Sequence, residues 1–139
     1  MLIAVKEGIM KKLLTILFML IAVQTAVYAD AETDMHQVYI AKIQAQDIKY
    51  NTFNFFNAIN SGNTQLVDLF LKAGMSPDST FMKTPAIYMA IASNQNEVVK
   101  LLLENKVDPN KELAGWTPLI MAIKEKDAKI VETLIAYGA

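Results

Sequence analysis

Apolar and polar positions along the second half of the chain repeat with a period of 32 residues. Ala58-Ile59, Ala90-Ile91 and Ala122-Ile123 fall in register. So do Leu66-Val67, Val98-Val99 and Ile130-Val131, and then Phe70-Leu71, Leu102-Leu103 and Leu134-Ile135. In each copy a short apolar helix leads to a polar break: Ser61-Gly62-Asn63, Ser93-Asn94-Gln95 or Glu125-Lys126-Asp127. A second, amphipathic helix follows and ends at Gly74, Lys106 or Gly138. Spacing of this kind predicts helices, and a period in the low thirties predicts stacked helix–turn–helix units. The fold class is therefore all-α, with copies at about 51–82, 83–114 and 115–139. Small Ala58, Ala90 and Ala122 let neighbouring first helices approach, while the Leu, Val, Ile and Phe positions bury one face. Each such side chain contributes roughly 1.5–3 kcal/mol on burial.

The third copy carries the most specific residues: Gly115-Trp116-Thr117-Pro118-Leu119, Ala122, Ile130-Val131, Leu134-Ile135 and Gly138-Ala139. This resembles the ankyrin repeat, and the resemblance covers about residues 50–139. It implies a solenoid with finger-like turns that binds other proteins through finger tips and the exposed side of the first helices. Carried over residue by residue, it puts Phe81, Met82 and Lys83 on the second finger and Lys111, Glu112, Leu113 and Trp116 on the third. Lys124 and Glu125 lie beside them on the first helix of the last copy. The candidate partner-binding residues are thus Phe81, Lys83, Lys111, Leu113, Trp116, Lys124 and Glu125. Two readings of Trp116 stay open: an interface anchor, a role in which Trp is enriched, or a ring lying flat on the neighbouring finger.

Departures from the family pattern matter as well. The Thr-Pro-Leu-His tetrapeptide becomes Thr84-Pro85-Ala86-Ile87 and Thr117-Pro118-Leu119-Ile120, which removes a histidine that ties adjacent turns. The first copy has Phe53-Asn54 in place of Thr-Pro. Thr-Pro recurs at 33 residues while the helices recur at 32, which predicts fingers one residue short. A left-handed backbone at Lys126 would cost about 1–2 kcal/mol. Marginal stability is the expectation.

The N-terminal part follows a different grammar. Lys11-Lys12, a 15-residue apolar stretch from Leu13 to Val27, and small residues at Val27 and Ala29 before Asp30 describe a secretory signal peptide at 1–29. Cleavage between Ala29 and Asp30 follows. The stretch falls short of the ~20 residues of a comfortable span, and the alternative is an uncleaved anchor. Either reading puts the repeats outside the cytoplasm, in the periplasm or secreted. The codons for Lys6-Glu7-Gly8 can spell a bacterial ribosome-binding site just before Met10, which makes Met10 the expected start and the host bacterial. Residues 30–50 should cap the stack, with a helix at about 34–46. Its capping-box pair is Asp34 and Gln37, its apolar positions are Val38, Ile40, Ala41 and Ile43, and Tyr50, Phe53 and Phe56 close that end.

Composition narrows the function. The chain has no Arg, and residues 30–139 hold 10 Lys against 13 acidic residues. Nucleic-acid binding calls for clustered basic residues, so no nucleic-acid partner is expected. There is no Cys, hence no disulfide, thiolate nucleophile or lipoprotein anchor. His36 is the single histidine and has no second ligand to work with. Glu125, Asp127 and Glu132 sit among Lys124, Lys126 and Lys129 as a solvated, charge-paired surface. No catalytic, metal or cofactor site emerges. The last copy reads like an internal repeat on its outer face, so the array is expected to continue or to meet another molecule, such as a second copy. The function expected is a non-catalytic protein-binding module. A membrane-anchored spacer or an accessory domain of a longer array are the alternatives, and the sequence selects no particular partner.

Overall fold

The computed structural model describes the backbone of residues 1–139 and the side chains of residues 1, 3–24 and 34–139. The expected cleavage junction, Ala29 and Asp30, lies outside the residues whose side chains are described. In chain order the helices are α1 (Leu2–Gln44), α2 (Thr52–Asn60), α3 (Thr64–Lys72), α4 (Ala86–Ala92), α5 (Asn96–Glu104), α6 (Pro118–Lys124) and α7 (Ala128–Ala136). A two-residue pairing of β1 (Thr80–Phe81) with β2 (Thr84–Pro85) sits between α3 and α4.

The chain divides into two compact units, Met1–His36 and Gln37–Ala139. The first is helical, and its described apolar side chains, such as Leu13, Leu17, Phe18 and Leu20, are exposed. Among the described residues no helix is long and apolar enough to cross a membrane. The helix expected at 34–46 is the end of α1. Asp34 and Gln37 are therefore interior helical residues, not a cap.

The second unit is the stack. First helices α2, α4 and α6 pack side by side in one layer and second helices α3, α5 and α7 in another. Ala58, Ala90 and Ala122 are all buried, as close approach of the first helices requires. One contiguous core runs from Ile43 through Phe55, Phe70, Ile91 and Leu102 to Ile130 and Leu134. At its N-terminal end Ile43 is fully buried and Tyr39 and Ile40 are half-buried, so the end of α1 caps the first repeat. Val38 and Ala41, expected on the same face, are exposed. Tyr50 stacks on Phe70 at 5.6 Å and donates to the Ala73 carbonyl at 2.9 Å.

The period seen in sequence is a backbone period. Gly62, Asn94 and Lys126 all have positive φ, and so do Gly74, Lys106 and Gly138. At each of the six, the helix ends with two backbone bonds reaching back, as in Gly62 N–H to Ile59 and Asn63 N–H to Ala58. The same pair closes at Lys126 and Asp127 onto Ile123 and Ala122. This is the Schellman closure, in which a left-handed residue lets the next N–H bond back to the last turn. Gly pays nothing for that conformation, whereas Lys106 and Lys126 carry strain of about 1–2 kcal/mol each.

The fingers correct one expectation. Phe81, Met82, Lys83 and Thr84 superpose in register on Leu113, Ala114, Gly115 and Trp116, with positive φ at both central residues in each. Each is a tight turn of the mirror-image kind that joins antiparallel strands, and the two are equal in length. What slides is the Thr-Pro pair. Pro85 is the N-cap of α4, whereas Thr117 is the N-cap of α6 and Pro118 its first residue. Proline has a fixed φ and no N–H, so it fits either position. The register also puts Thr52-Phe53, not Phe53-Asn54, opposite Thr84-Pro85, and Asn51 caps α2 by accepting from Asn54 N–H at 2.9 Å.

Candidate protein-binding cleft

Tyr88 on α4 sets the geometry of the third finger. Its side chain is buried, and its hydroxyl donates to the carbonyls of Lys111, at 2.9 Å, and Trp116. The tie that the absent histidine would supply is therefore made by a phenol one residue further along the chain than Ile87. Burial lifts the Tyr88 phenol above its ordinary pKa, with Glu112 adding to the rise and the backbone near Leu113 opposing it. It stays protonated and remains a donor. Leu113 and Trp116 exchange backbone bonds of 2.8 and 3.0 Å, closing the finger.

With the backbone of Trp116 held this way, its indole stands 41% exposed over a cleft of about 240 Å³. Tyr88, Leu113, Met121 and Trp116 form the walls, and Lys124 and Glu125 stand at the rim. The Lys124 ammonium lies 4.8 Å from the centre of the indole ring, an attraction worth about 0.5–1 kcal/mol at an exposed site. Four of the residues expected to bind a partner, Leu113, Trp116, Lys124 and Glu125, thus meet in one place.

The other three do not join them. Phe81 is half-buried and turns inward, packing at 5.6 Å against Phe56 and at 5.9 Å, edge-on, against Phe53. The apolar first helix draws the ring off the surface, and the ring covers part of Phe53, which stays exposed. Lys83 is exposed at the tip of its own finger. Lys111 has its ammonium 2.9 Å from Asp78 of the preceding repeat, where it holds neighbouring fingers together. Sequence reasoning missed Tyr88 and Met121. Both follow Thr-Pro where only apolar packing was expected, and the hydroxyl of Tyr88 was the available signal.

Further polar ties cross between repeats. Ser93 Oγ and Asn60 Oδ1 are 2.7 Å apart, Gln95 Nε2 donates to the Asn60 carbonyl at 3.2 Å, and Thr133 Oγ1 donates to Asn96 Oδ1 at 2.9 Å. Lys129 reaches Glu97 at 3.2 Å, and this hydrogen bond is the main reason the Glu97 carboxyl is held below the usual carboxylate range. Among the described residues, no group of His, Cys, Asp and Glu is placed to hold a metal ion.

A family model described as ankyrin repeats, in three copies, matches residues 55–139. The chain belongs to the ankyrin-repeat family. Its stack is accordingly a protein–protein interaction module, of a family that is generally non-catalytic. No curated protein matches the chain.

Proposed function

We propose that this chain is a non-catalytic binding module exported to the bacterial periplasm or beyond, and that it holds a protein partner at the Trp116 cleft. The observation that carries the binding mode is the state of Trp116. Its main chain is fixed by Leu113 and Tyr88, while its ring stays open to solvent over an apolar cleft. A rigid aromatic with its conformation already set loses little entropy on binding, and Trp is enriched where interfaces concentrate their energy. Apolar walls with Lys124 and Glu125 at the rim suit an apolar partner side chain flanked by polar groups. Export rests on the basic start at Lys11-Lys12, the apolar stretch after it and the small residues before Asp30.

Two measurements test the reading. A pull-down from periplasmic extract, with Trp116→Ala as control, should lose the captured partner while the melting temperature stays within the range of a surface substitution, about 0.5 kcal/mol. Equal capture by the variant overturns the cleft. N-terminal sequencing of the exported protein should begin at Asp30. A mature chain that keeps the segment from Met10 would instead support the anchored spacer.

A further inference from the structure

The last repeat leaves open the face that the repeat before it buries. Ile91 is fully buried, and its equivalent Ile123 is 58% exposed. Leu103 is 4% exposed and its equivalent Ile135 56%, while Val99 is fully buried and Val131 only half. Position by position this is a stacking surface, with the apolar side chains that receive the next layer of helices. A groove of about 320 Å³ runs across it, lined by Ile123, Ala128 and Val131 with Lys126, Asp127 and Glu132.

We propose that a second copy of this chain covers the face, forming a two-fold symmetric dimer through α6 and α7. Two observations select that occupant. The first excludes the head-to-tail alternative. Stacking a second copy as a following repeat needs the leading face of its first repeat, and there Ile43 is fully buried with Tyr39 and Ile40 packed beside it. Only an arrangement in which the same face meets itself remains open to an identical chain.

The second observation is charge. Lys126 and Glu132 line the groove, both are exposed, and neither is in an ion pair among the described residues. When a two-fold axis passes between two opposite charges on one patch, each meets its complement on the other copy, twice per dimer. A patch that is apolar at the centre and carries such a pair at its edge is complementary to itself. This surface is separate from Trp116 and its finger, so dimerisation and partner binding can fail independently.

Sedimentation of the purified chain tests this, from about 1 to about 200 µM, a range that spans micromolar dissociation constants. A reversible monomer–dimer equilibrium is expected. Ile123→Glu should weaken it by at least about tenfold, because it places an unpaired charge against apolar surface. Its N-terminal segment is untouched, so association through that segment would survive the substitution and overturn the proposal. Lys126→Glu and Glu132→Lys should each weaken the dimer by roughly three- to tenfold, and the double variant should recover most of the loss. Circular dichroism confirms that each variant keeps its helices. A chain that stays monomeric across the range overturns the dimer and assigns the face to another protein or a further repeat. Failure of the double variant to recover overturns the two-fold charge pairing.

Discussion

The second and third repeats share a 32-residue register, the same turns and the same layer positions, yet the second is built into the stack on both sides and the third on one. Ile91, Val99 and Leu103 are buried, whereas Ile123 and Ile135 are open. Tyr88 is sealed under the third finger, while its equivalent Ile120 is exposed. Asn94 takes the left-handed bend at φ 53° and Lys126 takes it at φ 60°. One pattern of residue types thus gives two energetic situations. What separates them is whether a neighbour is present, since an apolar side chain contributes only when something removes it from water.

The widest gap should appear at the first-helix isoleucines. Ile91→Ala is expected to destabilise by about 2–5 kcal/mol, the range for emptying a packed site. Ile123→Ala, measured at low protein concentration, should stay within about 0.5 kcal/mol, as surface substitutions do. Equal losses in denaturant unfolding would show that the two repeats are not different after all.

Next comes the finger tie. Tyr88→Phe keeps the ring and removes the donor, and should cost about 0.5–1.5 kcal/mol; Ile120→Phe at the equivalent position should cost less. The titration gives an independent check. With its folded pKa raised, Tyr88 contributes fully below the pKa of the unfolded phenol, and that contribution is lost as pH rises through the folded value. The phenylalanine variant should lose this part of the alkaline decline in stability.

The strained bends should reverse the sign. Lys126→Gly is expected to stabilise by about 1 kcal/mol by relieving the left-handed conformation. Asn94→Gly should gain less, because Asn tolerates that region better. Gly62→Ala should lose stability on two counts, since φ is +68° and the added Cβ would come 2.1 Å from Gln95 Oε1. A thermal series across the three positions orders these effects.

The smallest effect lies at the exposed Glu97–Lys129 pair. The hydrogen bond from Lys129 holds the Glu97 carboxyl low, so the contribution is present above the ordinary carboxylate pKa and lost as pH falls through the folded value. Lys129→Ala should move the Glu97 titration upward in NMR with little change in melting temperature, as exposed pairs contribute little. An unmoved titration would mean that the pair does not persist in solution.

Much of the stack was legible because its constraints are local and repeated. Gly62, Gly74 and Gly138 mark bends that the backbone must take, and the register forces the same bends onto Asn94, Lys106 and Lys126. The apolar pairs at Leu66-Val67, Val98-Val99 and Ile130-Val131 follow from helical spacing alone. The site was half legible. Leu113, Trp116, Lys124 and Glu125 could be gathered from family positions, but Phe81 could not be told from an exposed residue. Its burial depends on Phe53 and Phe56, which lie in another repeat.

By itself, then, the sequence determined the number of repeats, their period, the positions of their helices and the fold they build, because each depends on spacing within about thirty residues. It also carried the ankyrin resemblance that the family match bears out. Tertiary structure alone decided how the fingers are held and what remains open. Tyr88 replaces the absent histidine only because its hydroxyl reaches carbonyls that lie 23 and 28 residues further on. Ile43, and not Val38 or Ala41, meets the first repeat because of the rotation of α1. Ile91 and Ile123 are the same residue type in the same register, and only the layer packed against them makes one core and leaves the other as surface.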